Sequence, residues 1–387
     1  MPTPKSDRLR LACADAGLEI DLARGVLTDL WFGHDGRVIR PLHRAHWVGR
    51  AVPAGLAPIE AGLEGDFLSA PFGRDDLEPG GPIHGPAANS AWRVVSVSEA
   101  PGAAEAVLEL VAPVRGARIF KHLQLVGGVP FLRQVHRIEG GIGSLTLAHH
   151  PMILFAGRGW LSFSAKRAAL TGLHVEPGRH RLVPGGRSED LGALPGVAGP
   201  ASLFEYPQGD WAACGTRMEP IQMSYVNENG RELDPAGPLG HEDFLTLVEA
   251  AGSGLGWTAA LREAEDDLVL VLKDPAELPV TMLWLSNGGR DAAPWDGRHI
   301  GVLGIEDGIT AGDEGNRAAA GMNRVTAEGA RSCLRLAPGR VHVVRHLLGA
   351  VPRPAGWTGV DAVRVAGERL VLMGAGGEVA VGYAGPF

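Results

Sequence analysis

A chain of 387 residues with a formal net charge of −8 spreads its 36 basic and 44 acidic side chains along its length, and the absence of a basic stripe argues against a nucleic-acid partner. Glycine (56 residues) reaches about twice its usual share and proline is also frequent (28), the punctuation of many strands joined by turns and loops rather than of long helices. Cys13, Cys214 and Cys333 lie far apart with no CxxC pair, which fits buried thiols in a reducing compartment; the first residues lack an apolar signal region and no apolar run approaches the roughly 20 residues of a membrane span, so a cytoplasmic location and no membrane partner are expected.

In chain order, Leu9, Leu11 and Cys13 share one parity, Leu18 and Ile20 follow, and Val26–Phe32 is a further β-length segment before a turn at Gly33–Gly36. Arg40–Trp47 holds His43 and His46 three apart. Two histidines alone fall short of a zinc ligand set, and they read as surface or loop residues. The stretch Phe72–Trp92 (FGRDDLEPGGPIHGPAANSAW) is a glycine- and proline-dense loop carrying Arg74, three carboxylates and His84. Strands are then predicted at Trp92–Val97, Ala106–Val111, Ala117–Val126 and Phe131–Ile138, with a hairpin connection at Val126–Phe131. These connections are too short for parallel crossovers, so the meander is antiparallel.

Ser144–His150 is the next predicted strand, and Ala156–Asp243 reads as less regular, with loop character around residues 177–196. Strands resume at Phe244–Glu249, Trp257–Leu261, Asp267–Leu272, Val280–Ser286 and Gly301–Glu306. Glu314–Gly321 is the one short helix expected, and Arg331–Leu336, Arg340–Leu347 and Ala362–Ala384 return to strands and turns. No internal repeat or linker-like break divides the chain. The reading is one all-β domain over residues 1–387.

Side chains alternate across a strand. In Ser144–His150 the leucine parity (Leu145, Leu147, His149) should face the core, making His149 a packed, hydrogen-bonded histidine. His150 falls with Thr146 and Ala148 on the other face, and Pro151 weakens the pairing just beyond it, so His150 can reach a ligand. In Gly301–Glu306, Leu303 and Ile305 share one face and Glu306 lies on the other beside Gly304, which leaves room for something flat. Arg74 reads either as an ion-pair partner of Asp75, Asp76 or Glu78 or as a ligand of oxygen-rich molecules; His84 reads as a loop residue able to serve a site.

Gly73-Arg74, His84-Gly85 with Trp92, His150-Pro151 and Glu306 in GVLGIEDG occur in an order that resembles the aldose 1-epimerase (galactose mutarotase-like) family, over Gly62 to about Thr310. The resemblance implies a large twisted antiparallel β-sandwich whose concave sheet holds a monosaccharide or sugar derivative. It implies Glu306 as base, His150 as acid, and Arg74 and His84 as ligands of sugar oxygens, with Asp243 the match to a further family aspartate and no cofactor or metal. Trp284 and Phe155 are candidate walls for the sugar, with core packing the plainer role. The sequence departs from the family pattern at Met152–Phe155, at Asp307 and in the acids of the Arg74 loop. Other roles therefore stay open: a carbohydrate-binding protein, or a lyase or hydrolase on the same scaffold using His150 and Glu306 or pairing Asp243 with Glu306. Arg74, Lys121 and Arg158 are the basic residues considered for a phosphorylated sugar.

Overall fold

Alternation of buried and half-buried residues runs without a break through strands such as Ala103–Leu110, and that two-residue period decides how the sheets stack. The computed structural model describes residues 8–157, 159–173, 180, 185–188, 200–202, 217–219 and 241–385. Its larger sheet has ten strands, in spatial order Pro200–Ser202, Arg217–Glu219, Gly159–Phe163, Gly256–Arg262, Asp267–Lys273, Val341–Pro352, Phe131–Gly140, Ala117–Val126, Ala103–Leu110 and Trp92–Ala100. The second runs Arg187–Ser188, Lys166–Thr171, His241–Glu249, Val280–Asn287, Val302–Ile309, Leu147–His149 and Leu68–Ser69, with Met152–Leu154 also pairing with Val302–Ile309. Apart from the parallel pair Pro200–Ser202 and Arg217–Glu219, the pairings within these sheets are antiparallel.

The two sheets meet over one apolar cluster. Leu123, Leu132, Val269 and Leu348 enter it from the ten-stranded sheet, and Leu245, Leu283, Leu303 and Ile305 from its partner. Five short N-terminal strands between Arg8 and Ile39 add Leu11, Ile20 and Phe32 to the same cluster. The far face of the ten-stranded sheet is covered too, because Leu268, Leu270 and Leu272 pack against Leu370 and Leu372 of a three-stranded C-terminal sheet. Burial on both faces explains why Asp267–Lys273 reads DLVLVLK instead of alternating. Among the described residues no such sheet covers the outward side chains of the eight-stranded sheet around Trp284.

The antiparallel β-sandwich and its main strands match the sequence expectation, with corrections. The predicted strand Ser144–His150 is two strands: Gly143–Leu145 pairs with Leu334–Leu336, while Leu147–His149 pairs with Val302–Ile309 and Leu68–Ser69. Within the stretch read as irregular, Gly159–Phe163 and Lys166–Thr171 are strands, the second with a register shift between Lys166 and Ala168. Both are short and almost wholly buried, so they lack the alternation that announces a strand. The one helix expected is a 3-10 turn, Gly312–Glu314, running into Gly315–Ala319, and the described residues also form short helices at Pro58–Ala61, Gly85–Asn89 and Arg324–Ala327. Cys13 and Cys333 are free thiols, the first only half-buried; Cys214 and Arg158 lie outside the described residues. Among the described residues no helix is long and apolar enough to cross a membrane.

Leu283 has no exposure at the centre of the sheet interface, whereas Val365 on the C-terminal sheet is 47% exposed. Leu283→Ala is expected to lower unfolding stability by about 2–5 kcal/mol, and Val365→Ala to stay within about 0.5 kcal/mol of the parent, as read from urea midpoints at constant m-value.

Candidate functional site

In Val302–Ile309, Leu303 and Ile305 point into the core, so Gly304 and Glu306 point out of it. In the neighbouring Val280–Asn287, Leu283 and Leu285 go inward and Met282 and Trp284 outward. The register pairs Met282 with Glu306 and Trp284 with Gly304, setting these residues side by side. A Cβ on Gly304 would stand 2.9 Å from Glu306 Oε1 and 3.1 Å from Trp284 Cβ. The room left by this glycine is therefore used by the Glu306 carboxylate itself.

His150 comes in from the adjacent strand end. Its backbone N–H donates to Phe67 O (2.9 Å) and Asp66 Oδ1 (3.1 Å), and its ring stacks on Phe67 at 4.4 Å between centroids. That places His150 Nε2 3.2 Å from Glu306 Oε1, with both side chains at most 5% exposed. Burial pushes the Glu306 carboxyl up from 4.5 to about 8, with Arg290 opposing the shift. Burial likewise holds the His150 imidazole well below its ordinary value, and His84 adds to this. An imidazole and a carboxylate, both reluctant to be charged, thus share a contact lining a cavity of about 280 Å³.

The Phe72–Trp92 loop closes one side of the cavity, and its backbone shows why it has this sequence. His84 N–H donates to Gly73 O (2.7 Å), and His84 O accepts from Ala70 N (3.1 Å), so the loop folds back on itself. His84 adopts φ 65° and Gly85 φ 65°; a Cβ on Gly85 would lie 2.1 Å from Ala70 O. Left-handed backbone is uncommon at a non-glycine residue such as His84, and the residue that follows it must be glycine. Ser69 Oγ lies 2.8 Å from His84 Nδ1, leaving Nε2 for a ligand. Burial lowers the His84 pKa to about 3, with Arg290 and Arg74 adding repulsion. Its ring is a neutral hydrogen-bonding group.

Two of the three acids read as ion-pair partners of Arg74, Asp75 and Asp76, are engaged elsewhere. Asp75 takes both oxygens to Arg115 (2.8 and 2.9 Å), and Asp76 accepts from the backbone N–H of Arg317 (2.9 Å). Asn316 Nδ2 donates to the carbonyls of Phe72 (3.0 Å) and Arg74 (3.1 Å), while Thr146 Oγ1 accepts from Phe72 N (2.9 Å). The loop is pinned by its backbone and its acids, and the exposed Arg74 lines the cavity instead of holding the loop.

Glu306, His150, His84 and Arg74 all line this one cavity, together with Trp284. Asp243 does not. It sits in His241–Glu249, where Phe244 reaches the cavity and Leu245 and Leu247 enter the core, so alternation turns Asp243 to the core side. The carboxylate on the cavity side is Glu242, one residue earlier. It accepts from Trp284 Nε1 and from Ser286 Oγ (2.9 Å) and lies 2.9 Å from Arg290 Nε; burial raises its pKa against the pull of Arg290. Sequence reading missed Glu242, and the parity of Leu245 and Leu247 was the signal for it. It also missed Arg290, whose guanidinium lies over Trp295 (4.3 Å) and Trp284 (5.3 Å) at the cavity wall.

Other expectations are corrected. Phe155 is core. Lys121 is fully buried and donates to Gly25 O (2.5 Å), away from the cavity. His43 is buried rather than exposed, its ring edge-on to His299 at 4.8 Å. His149 has no exposure, as expected, but neither of its ring nitrogens has a hydrogen-bond partner among the described residues.

No family model and no curated protein matches the sequence. Solved structures do match the fold. A "putative mutarotase" from Salmonella typhimurium superimposes with a TM-score of 0.54 at 9% identity, covering 89% of this chain and 90% of that one. A "putative aldose 1-epimerase" from Escherichia coli K12 gives 0.53 at 12% identity over 89% and 99%. A galactose mutarotase related enzyme from Lactobacillus acidophilus gives 0.52 at 11% identity over 90% and 98%. The chain has the galactose mutarotase-like fold; at these identities the likeness is one of fold.

Two outcomes are expected from this geometry. Gly85→Ala should cost more than about 1 kcal/mol of unfolding free energy, whereas Gly81→Ala, which meets open space at an ordinary φ, should be close to neutral in the same denaturation assay. Glu306 keeps a proton in the folded state that the unfolded chain releases, between its ordinary 4.5 and about 8. Folded wild type therefore loses stability as pH rises through that window. Glu306→Gln removes the loss, so the Tm of the variant should gain on wild type steadily from pH 5 to pH 8; a constant difference would contradict it.

Proposed function

We propose that the protein interconverts the anomers of an aldose by acid–base ring opening and reclosure. The observation that carries this is the 3.2 Å contact between His150 Nε2 and Glu306 Oε1 lining the cavity. Mutarotation needs a proton taken from the anomeric hydroxyl and a proton given to the ring oxygen. Both oxygens are bonded to the same carbon, so an acid and a base in contact with each other can each meet one of them. The names of the fold neighbours, mutarotase and aldose 1-epimerase, support the same chemistry.

The cavity, about 280 Å³, is at the small end of the roughly 300–1,000 Å³ of small-molecule pockets, which suits one sugar ring rather than a chain. Trp284 offers an apolar wall, and His84 and Arg74 offer donors to sugar hydroxyls. In ring opening the pair's one proton passes across the 3.2 Å contact from Glu306 to His150 Nε2, so that Glu306 accepts the proton of the C1 hydroxyl while His150 donates to the ring oxygen. The aldehyde turns about C1–C2, and the same two transfers run backwards to close the other anomer. The pair needs a single proton in total and returns it after every cycle. Hydrolysis by Asp243 with Glu306 is disfavoured because Asp243 lies on the other face of its strand.

The test is anomer exchange followed by NMR over a panel of free aldoses and uronic acids. Wild type should accelerate exchange; Glu306→Gln and His150→Asn should each lose about 10²–10⁴-fold while chemical-shift titrations still report sugar binding. Binding without any exchange in wild type would make the protein a carbohydrate-binding module instead.

The pH profile follows from the shared proton. Burial delays loss of that proton from Glu306 to about pH 8, and entry of a second is resisted by the depressed His150 imidazole. The exchange rate should stay level through the neutral range and fall as pH rises through about 8, the apparent value belonging to the pair rather than to one residue.

A further inference from the structure

On the opposite side of the same strand from His150 lies a second cluster that the proposed chemistry does not use. His149 turns into the interior from the eight-stranded sheet, with Asp66 beside it. His136 and His346 turn in from the ten-stranded sheet, on Phe131–Gly140 and Val341–Pro352. All four residues have no solvent exposure. The His149 and His346 rings are 4.1 Å apart between centroids, and those of His136 and His149 4.8 Å. One ligand atom from each of Asp66, His149 and His346 lies within 4.8 Å of the others.

What needs explaining is the hydrogen bonding. Both ring nitrogens of His136 and His149 are without a hydrogen-bond partner among the described residues, and the His346 ring meets Asp307 Oδ2 only at 3.3 Å from its Nε2. A buried polar atom left unpaired costs about 1–3 kcal/mol, and several gathered at one point call for a shared partner. Packing alone would be better served by leucine or phenylalanine there. We propose that Asp66, His149 and His346 form a closed site for a divalent first-row transition metal of the zinc type, which ties the two sheets together, with the His136 ring packed against His149 beside it.

The donor set fits that class. Imidazole nitrogens with one carboxylate suit Zn²⁺ and its neighbours rather than Mg²⁺ or Ca²⁺, which want oxygen. Outer partners are in place: Gln134 Nε2 donates to Asp66 Oδ2 (2.6 Å), and Asp307 Oδ2 stands 3.3 Å from His346 Nε2. Such contacts hold ligating side chains in orientation. With no ligand exposed, the site is structural rather than catalytic, and it does not depend on the sugar reading.

The test uses the full chain expressed in zinc-supplemented medium and measures metal content by mass spectrometry after gel filtration. Stoichiometric zinc is expected. Protein unfolded in denaturant with EDTA and refolded should regain its Tm on addition of ZnCl₂, and Co²⁺ added instead should give the ligand-field absorption of a nitrogen–oxygen site. His149→Gln should lose the zinc and the Co²⁺ absorption, while His43→Gln, at the other histidine pair, should retain both. Should His149→Gln fail to fold, the wild-type refolding experiment decides alone. Substoichiometric zinc together with a Tm indifferent to ZnCl₂ and EDTA would overturn the proposal and leave the cluster to buried water.

Discussion

The contact between His150 and Glu306 is the constraint on which the rest of the structure turns. The two side chains belong to different strands, so their meeting depends on strand register and on nothing local to either residue. Glu306 is fixed by the pairing of Met282 and Trp284 with Glu306 and Gly304. His150 is fixed through its backbone, by Phe67 and Asp66. Asp66 in turn accepts from Gln134, on the opposite sheet. The acid–base pair is thereby anchored to both layers of the sandwich. A one-residue slip in Val302–Ile309 would carry Glu306 into the core and Asp307 into the cavity.

The interior is not uniformly apolar, and its polar part runs between the sheets. Lys273, from the ten-stranded sheet, lies 2.8 Å from Asp307 and 2.9 Å from Glu249 on the other sheet, and Lys166 lies 2.5 Å from the same Glu249. Burial opposes the charge on Lys273, yet the two carboxylates outweigh it and raise its pKa; burial also opposes the charge on Asp307, but Lys273 and His346 hold it well below the usual carboxylate range. Buried ion pairs add little net stability over well-packed hydrocarbon, but breaking one partner away is expensive. Their effect here is to penalise wrong alignments: each charge finds its counterpart only when the two sheets stack in this register. Leucines on the same faces would tolerate a slip that these side chains do not.

Much of this was legible in the sequence because strand period is a local property. The parity of Leu303 and Ile305 turned Glu306 outward, and the parity of Leu145 and Leu147 turned His150 away from the core. The same rule applied to HEDFLTLVE places Asp243 with Leu245 and Leu247, and Glu242 with Phe244. Asp243 was favoured by family order instead, and the order was one residue off the face. Other features had no local signature. Asn316 lies far along the chain from the loop whose carbonyls it binds, Arg290 belongs to a glycine-rich turn with no period, and the charges at Lys166, Glu249 and Lys273 look like ordinary strand ends. Their partners arrive from distant strands, so only the folded chain shows them to be buried.

His149 and His150 make the underlying point most sharply. They are the same residue type at consecutive positions, and both are desolvated. Pleating sends one into a cavity beside a carboxylate, where its Nε2 has a proton partner. It sends the other into the seam between the sheets, among two more imidazoles and Asp66. The chemistry open to each is set by the face of the strand and not by the side chain. A sandwich sheet with both faces occupied can therefore hold an acid–base site on one side and a cross-sheet tie on the other, with a single peptide unit separating them.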